Sequence, residues 1–284
     1  MKQVFGVFGD PVGHSLSPAM HNAAFSALGM DCIYHAFRVT PEKLEKAILG
    51  AEAMGFGGIN LTVPLKEKAL KLDFVKPDPL AKRIGAVNTL VFGKKGDIQG
   101  YNTDGPGGAK QALLDTGVEI RGGSRMVVAG AGGAARAVAF QLAADGADIT
   151  VINRTEERAV GLAREISAAD LPGKIRGTGL SGLKELLRDA DVLINTTTLG
   201  MHPNTDATIV TAEELHSGLT VFDIVYNPLE TRLLREARTS GAKTISGGVL
   251  MLVYQGAEAF RLWTGGVEPP LELMKKTVLE ALQA

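Results

Sequence analysis

The sequence predicts a two-domain α/β fold in which an N-terminal α/β domain is followed by a doubly wound parallel sheet. Three observations carry this. A chain of 284 residues exceeds the size of most single cores, so two domains of about 100–150 residues are expected. Short apolar runs alternate with helical segments along most of its length. Near its middle stands the turn Gly130-Ala131-Gly132-Gly133-Ala134-Ala135, entered from an apolar run at 126–129 and left through an alanine-rich amphipathic segment at 134–144. That is a strand, a turn and a helix, and its late position implies that another domain comes first.

In the first domain, β-like runs at 3–8, 32–39, 58–61, 86–92 and 97–101 alternate with helices expected from Pro18, Pro41 and Pro64. Ser17-Pro18 and Thr40-Pro41 read as helix starts, because proline at the first helical position has no N–H to leave unpaired and the preceding hydroxyl can cap. Gly93-Lys94-Lys95-Gly96 reads as a hairpin turn. A helical segment at 105–117 leads away from this domain. Strands at 126–129, 148–152, 174–177, 192–195, 219–224 and 243–245, joined by helices, then build the Rossmann-like sheet. Two helices at 249–263 and 270–282 have no sheet of their own, so they are expected to return to the first domain. The division expected is 1–104 together with 249–284, and 105–248.

Composition narrows the function. Lys and Arg number 30 against 31 Asp and Glu, with no basic block, which argues against a nucleic-acid groove. The single cysteine, Cys32, excludes an intrachain disulfide, and no apolar run reaches bilayer length or resembles a signal peptide. The five histidines (His14, His21, His35, His202, His216) lack metal-ligand spacing, so no metal site is expected. A cytoplasmic protein acting on a small molecule, without nucleic-acid or membrane partners, is the expectation; monomer and homodimer both stay open.

The mid-chain glycines suit a dinucleotide, because they let the backbone approach a pyrophosphate that the N–H groups of the helix start can bind. After the next apolar run an NAD site usually places an acid on the ribose 2′-hydroxyl; here stand Asn153 and Arg154, with Arg158 one turn on. Two guanidinium groups favour a 2′-phosphate and hence NADP. The competing reading makes Glu156, Glu157 and Arg158 the solvated face of a helix capped by Thr155.

Polar groups in the first domain fall at strand ends and loops, where α/β sheets bind ligands. Ser15 and Ser17 face a helix start and could present hydroxyls to an anion, or Ser17 could simply cap. In Asn60-Leu61-Thr62-Val63-Pro64-Leu65-Lys66, the lysine is expected in the first turn of a helix, where the dipole disfavours a cation and so suits an amine to acid–base work; Lys68 and Lys71 support a solvated-face alternative. Asp104 stands at the end of the domain, facing the expected cleft or capping the next helix; Asn88 suits sugar-like hydroxyls or a local turn. Asn195 to Thr198 and Asp223 to Pro228 end two strands of the second sheet, which places Tyr226 near the cleft.

Taken together these segments resemble the shikimate/quinate dehydrogenase family, on its shikimate dehydrogenase side. The motifs are HSLSP (14–18), N-x-T-x-P-x-K (60–66), AVNT (86–89), NTDG (102–105), GAGGAAR (130–136), NRT (153–155), YNP (226–228) and MLVYQ (251–255). The resemblance implies reversible NADPH-dependent reduction of 3-dehydroshikimate to shikimate, on the route to chorismate and the aromatic amino acids. It implies that Ser15, Ser17 and Tyr226 hold the substrate carboxylate, that Thr62, Asn88, Asp104 and Gln255 bind its hydroxyls, and that Lys66 is the acid–base residue paired with Asp104. For NADP(H) it implies Gly130, Ala131, Gly132, Gly133 and Ala134 on the pyrophosphate, Asn153, Arg154, Thr155 and Arg158 at the 2′-phosphate, and Ile224 and Gly248 near the nicotinamide. One departure is visible: Gly247 stands where the family often has Asp.

Three alternatives compete. An NAD-using quinate/shikimate dehydrogenase is opposed by Arg154 and Arg158 and by the paired serines of the HSLSP loop. A non-catalytic NADP(H)-binding sensor would need neither Lys66 nor Asp104. A folate dehydrogenase would not explain the HSLSP and NTDG segments.

Overall fold

The computed structural model describes residues 2–93 and 96–283, so Lys94 and Lys95 of the expected hairpin turn lie outside the described residues. The chain divides into two compact units, Met1–Gly108 with Leu252–Ala284, and Ala109–Met251.

The first unit contains β1 (Gln3–Gly9), α1 (Ser17–Ala27), β2 (Cys32–Arg38), α2 (Leu44–Ala53), β3 (Gly58–Leu61), α3 (Lys66–Ala69), β4 (Val75–Pro77), α4 (Pro79–Ile84), β5 (Thr89–Phe92) and β6 (Ile98–Tyr101). The sheet order is β2-β1-β3-β5-β6-β4; β1 runs parallel to β2 and β3, and β5 is antiparallel to both β3 and β6. Successive side chains of β1 face opposite sides of the sheet. Phe8 joins a buried cluster with Leu44 and Ile48 of α2, while Phe5 stacks on Phe25 of α1 with centroids 5.3 Å apart. Strand β4 was not expected: Val75-Lys76-Pro77 is too short to show alternation, yet it pairs in parallel with β6. It is followed by α4, which Asp78 caps through Ala81 N–H at 2.8 Å.

Three helix starts differ from expectation. Helix α1 begins at Ser17, and it is Ser15 Oγ that accepts the Ser17 N–H (3.3 Å), so Ser17 is no cap. Pro41–Lys43 forms a 3₁₀ turn before α2. Beyond Pro64 lies only the single turn α3.

In the second unit a π-helical stretch (Asp104–Lys110, shared with the first) leads into α5 (Gln111–Asp115), where one continuous helix was expected. Then come β7 (Arg125–Ala129), α6 (Gly133–Ala144), β8 (Asp148–Ile152), α7 (Glu156–Ser167), β9 (Ile175–Thr178), α8 (Leu183–Arg188), β10 (Val192–Asn195), β11 (Thr220–Asp223), α9 (Arg232–Thr239) and β12 (Lys243–Ser246). Their order, β12-β11-β10-β7-β8-β9, is all parallel and reverses direction at β7, the Rossmann-like arrangement. Both faces are covered, which is why its strands read as unbroken apolar runs.

Helix α10 (Gly248–Thr264) and α11 (Leu271–Gln283) close the chain. From Leu252 onward they belong to the first unit, where Phe260 packs on Phe25 (5.1 Å) and the Trp263 indole donates to the Leu90 carbonyl at 3.0 Å. No described helix is long and apolar enough to cross a membrane.

Candidate active site

In the first unit the exits of β1 and β3 lie side by side, tied by Thr62 N–H to Phe8 O (2.9 Å) and Asp10 N–H to Val63 O (3.1 Å). The β1 exit carries Ser15 and Ser17; the β3 exit carries Thr62 and then Lys66. Ser17 is buried and Ser15 half-buried.

Lys66 Nζ lies 2.6 Å from Asp104 Oδ2, with side chains only 15% and 6% exposed. Such a shielded pair is a poor device for stability, since desolvation offsets most of its attraction, and its retention is better explained by chemistry. The placement does not come from a helix dipole as expected, because α3 is four residues long and has little dipole to offer. Instead Lys66 is held by its backbone, whose carbonyl accepts from Val87 N–H (3.0 Å), and by Asp104.

Asp104 does not cap the following segment. Asn102 does so, its Oδ1 accepting from the N–H groups of Asp104 (3.1 Å) and Gly105 (3.3 Å), which leaves both Asp104 oxygens free for side chains. Oδ2 takes Lys66, and Oδ1 accepts from Asn88 Nδ2 at 2.9 Å. Asn88 is therefore a neighbour of the pair and not merely a turn residue. Gln255, on α10, turns its Nε2 to the Leu252 carbonyl of its own helix (2.8 Å), and no bond joins it to Lys66 or Asp104 among the described residues.

In the second unit Gly130 has φ +115°, a conformation that side chains rarely adopt, and a Cβ there would stand 2.7 Å from Thr196 Oγ1. Space beside Gly132 is open. Helix α6 starts at the next residue, so its first N–H groups, with Ala131 and Ala134 alongside, offer the polarity a pyrophosphate needs. Past β8, Asn153 Nδ2 donates to the Thr155 carbonyl (2.9 Å), shaping the turn; the Thr155 hydroxyl makes no cap to α7. Arg154 and Arg158 are exposed, and no salt bridge to either occurs among the described residues. Uncommitted guanidinium groups at this strand end fit a 2′-phosphate.

Strand β11 ends in a buried polar knot that joins the two strand ends singled out in the sequence to Thr231, which was not. Asp223 accepts from Asn195 Nδ2 (2.9 Å), Val225 N–H (3.0 Å) and the Thr231 hydroxyl (2.6 Å), and burial lifts its pKa above the usual carboxylate range despite those donors. This fixes the segment bearing Ile224 and Tyr226. Ile224 N–H binds the Asn195 carbonyl (3.2 Å), and Gly248 packs against the Ile224 backbone. Burial raises the Tyr226 phenol, keeping it a neutral donor. Gly247 lies on the Phe222 ring, which occupies the space a side chain would need; this accounts for the departure from the family's acid. A separate groove over β7–β9, lined by Arg125, Thr150, Arg176 and Glu185, shares no residue with the glycine turn.

Comparison with known proteins agrees along the whole chain. Residues 7–90 match the shikimate dehydrogenase substrate binding domain, 115–228 the shikimate / quinate 5-dehydrogenase family, and 248–279 the shikimate 5'-dehydrogenase C-terminal domain. The chain is 99% identical, over 100% of both chains, to a shikimate dehydrogenase (NADP(+)) of Methanosarcina mazei. Among solved structures it is similar to a shikimate dehydrogenase in complex with NADP+, at 45% identity and TM-score 0.90, covering 99% of this chain and 96% of that one. It is also similar to a shikimate 5-dehydrogenase of Thermus thermophilus in complex with NADP(H) and shikimate, at 41% identity and TM-score 0.85, covering 98% and 99%.

Proposed function

The chain belongs to the shikimate dehydrogenase family, and from that premise we propose that it catalyses the reversible, NADP-linked reduction of 3-dehydroshikimate to shikimate. The observation that carries this reading is the shielded pair of Lys66 and Asp104, 2.6 Å apart, with the remaining Asp104 oxygen held by Asn88. Residues 1–104 with 249–284 form the substrate half in this reading, and 105–248 the cofactor half.

NADPH supplies a hydride when bound, held by Gly130 to Ala134 at its pyrophosphate, by Asn153, Arg154, Thr155 and Arg158 at its 2′-phosphate, and by Ile224 and Gly248 near the nicotinamide. Addition of hydride to the ketone carbon leaves negative charge on oxygen. The Lys66 ammonium neutralises it by handing over a proton, and the reverse reaction returns that proton to the amine. Asp104 orients the ammonium and accepts from a substrate hydroxyl, and the proton is best assigned to the pair as a unit. Thr62, Asn88 and Gln255 bind the other hydroxyls; Ser15, Ser17 and Tyr226 donate to the carboxylate.

The test is NADPH formation from shikimate by the purified protein. Rapid reduction of NADP with shikimate, slow reduction of NAD and little turnover of quinate are expected; equal rates with both cofactors would overturn the role of Arg154 and Arg158.

A further inference from the structure

Behind the acid–base pair a file of side chains runs into the core of the first unit. Asp104 Oδ1 accepts from Asn88 Nδ2 (2.9 Å); Asn88 Oδ1 accepts from the Thr89 hydroxyl (3.0 Å); Thr89 Oγ1 accepts from Asn60 Nδ2 (3.0 Å); and Asn60 Oδ1 accepts from the Tyr34 hydroxyl (2.7 Å). All five residues are at most 5% exposed.

Backbone groups dictate the orientation of both amides. Asn88 Oδ1 also receives Thr103 N–H (2.8 Å), a group that can only donate, so the amide nitrogen of Asn88 must face Asp104. Asn60 Nδ2 also reaches the Asn88 carbonyl (3.3 Å), a group that can only accept, so Asn60 Oδ1 faces Tyr34 and the phenol must donate. Thr89, already receiving from Asn60, gives its single proton to Asn88 Oδ1 at 3.0 Å, the nearer of two contacts, Thr103 Oγ1 lying at 3.4 Å. Every donor therefore points the same way, and the file ends on the carboxylate whose other oxygen holds Lys66. Buried hydrogen bonds in series polarise one another by about 10–30% per bond, and donors arriving at a carboxylate favour its charged form.

The far end is packed among rings. The His21 ring stacks on Tyr34 with centroids 4.5 Å apart and planes at 17°, and Trp263 lies against the same ring at 5.9 Å. Burial also drives the Tyr34 phenol well above its ordinary pKa, so it stays a donor across the working range.

We propose that Tyr34 and Thr89 are positioning residues, which fix the orientation of Asp104, and through it of Lys66, by a one-way relay of donors. The proposal rests on the reading that Lys66 and Asp104 carry the proton.

The test compares Tyr34→Phe, Thr89→Val, Thr89→Ser and the double variant Tyr34→Phe/Thr89→Val, assayed with shikimate and NADP across pH. Tyr34→Phe and Thr89→Val should each lower kcat about threefold to tenfold, the scale of one hydrogen bond. Both should move the pH profile of kcat, because the Asp104 carboxylate loses a supported donor from Asn88, while KM for NADP stays unchanged. Thr89→Ser keeps the hydroxyl and should keep the wild-type profile. The double variant should match Thr89→Val alone, since cutting the relay nearer Asp104 makes the farther cut irrelevant. Multiplying losses, an unmoved pH profile, or a KM for NADP rising in step with the loss of kcat would each overturn the relay. If Thr89→Val does not fold, the profile of Tyr34→Phe decides alone. An active wild type with unmoved variants refutes the relay only; a wild type without shikimate-dependent NADP reduction refutes the functional reading and the relay with it.

Discussion

The indole of Trp263 lies directly over the backbone of Gly58, in the middle of the first sheet, and donates to Leu90 O on the neighbouring strand at 3.0 Å. A strand rich in branched residues would normally fill position 58, but a Cβ there would run into the indole and the Leu90 carbonyl. We expect Gly58→Ala to cost about 1–3 kcal/mol, the scale of overpacking a tight core. Denaturant titration checks it, and an unchanged midpoint would mean that α10 is not seated on β3.

Lys66→Ala should lower kcat for shikimate oxidation by at least ~10²-fold, the contribution of a positioned acid–base group, with a smaller change in KM. Near-normal turnover in steady-state assays would remove Lys66 from the mechanism.

Arg154→Ala should raise KM for NADP about tenfold or more, the worth of a charge-assisted hydrogen bond, while KM for NAD changes little. Parallel titration with the two cofactors is the check, because a merely structural arginine would affect both equally.

His21 gives a pH prediction. The ring is fully buried, neither nitrogen has a hydrogen-bond partner among the described residues, and burial lowers its pKa from 6.5 to about 3. The unfolded chain therefore binds a proton that the folded chain refuses, so this contribution is present above pH 6.5 and is lost as pH falls toward 3. At pH 5 the proton taken up on unfolding is worth about 2 kcal/mol. His21→Phe, which keeps an aromatic ring in the stack, should lose this dependence and resist acid unfolding; melting curves that fall equally for both proteins at pH 5 would refute the assignment.

The parallel sheet of the second unit was legible because strands covered on both faces leave long apolar runs, and all six fall within two residues of where the sequence puts them. The turn at Gly130 and the bare Arg154 were legible for a related reason: each breaks a pattern that packing alone would continue. Less could be read where structure depends on distant partners. Val75-Lys76-Pro77 becomes a strand only because β6 offers an edge, and Pro64 precedes a single helical turn because the chain is soon needed for β4. Asn60 and Thr89 lay in motifs without a role of their own and Tyr34 in none, and only the folded sheet aligns their hydrogen bonds. Asp104 was the candidate cap, and only the folded chain shows that Asn102 takes that role.

The knot around Asp223 bears on how the protein meets acid. Burial raises this carboxyl's pKa, so the folded state holds the proton more tightly than the unfolded chain does; the stability it contributes is full below the ordinary carboxylate range and fades as pH rises through the folded value. His21, in the other unit, responds with the opposite sign. Through these two groups acidification works against the folded state of one unit at His21 and in favour of that of the other at Asp223.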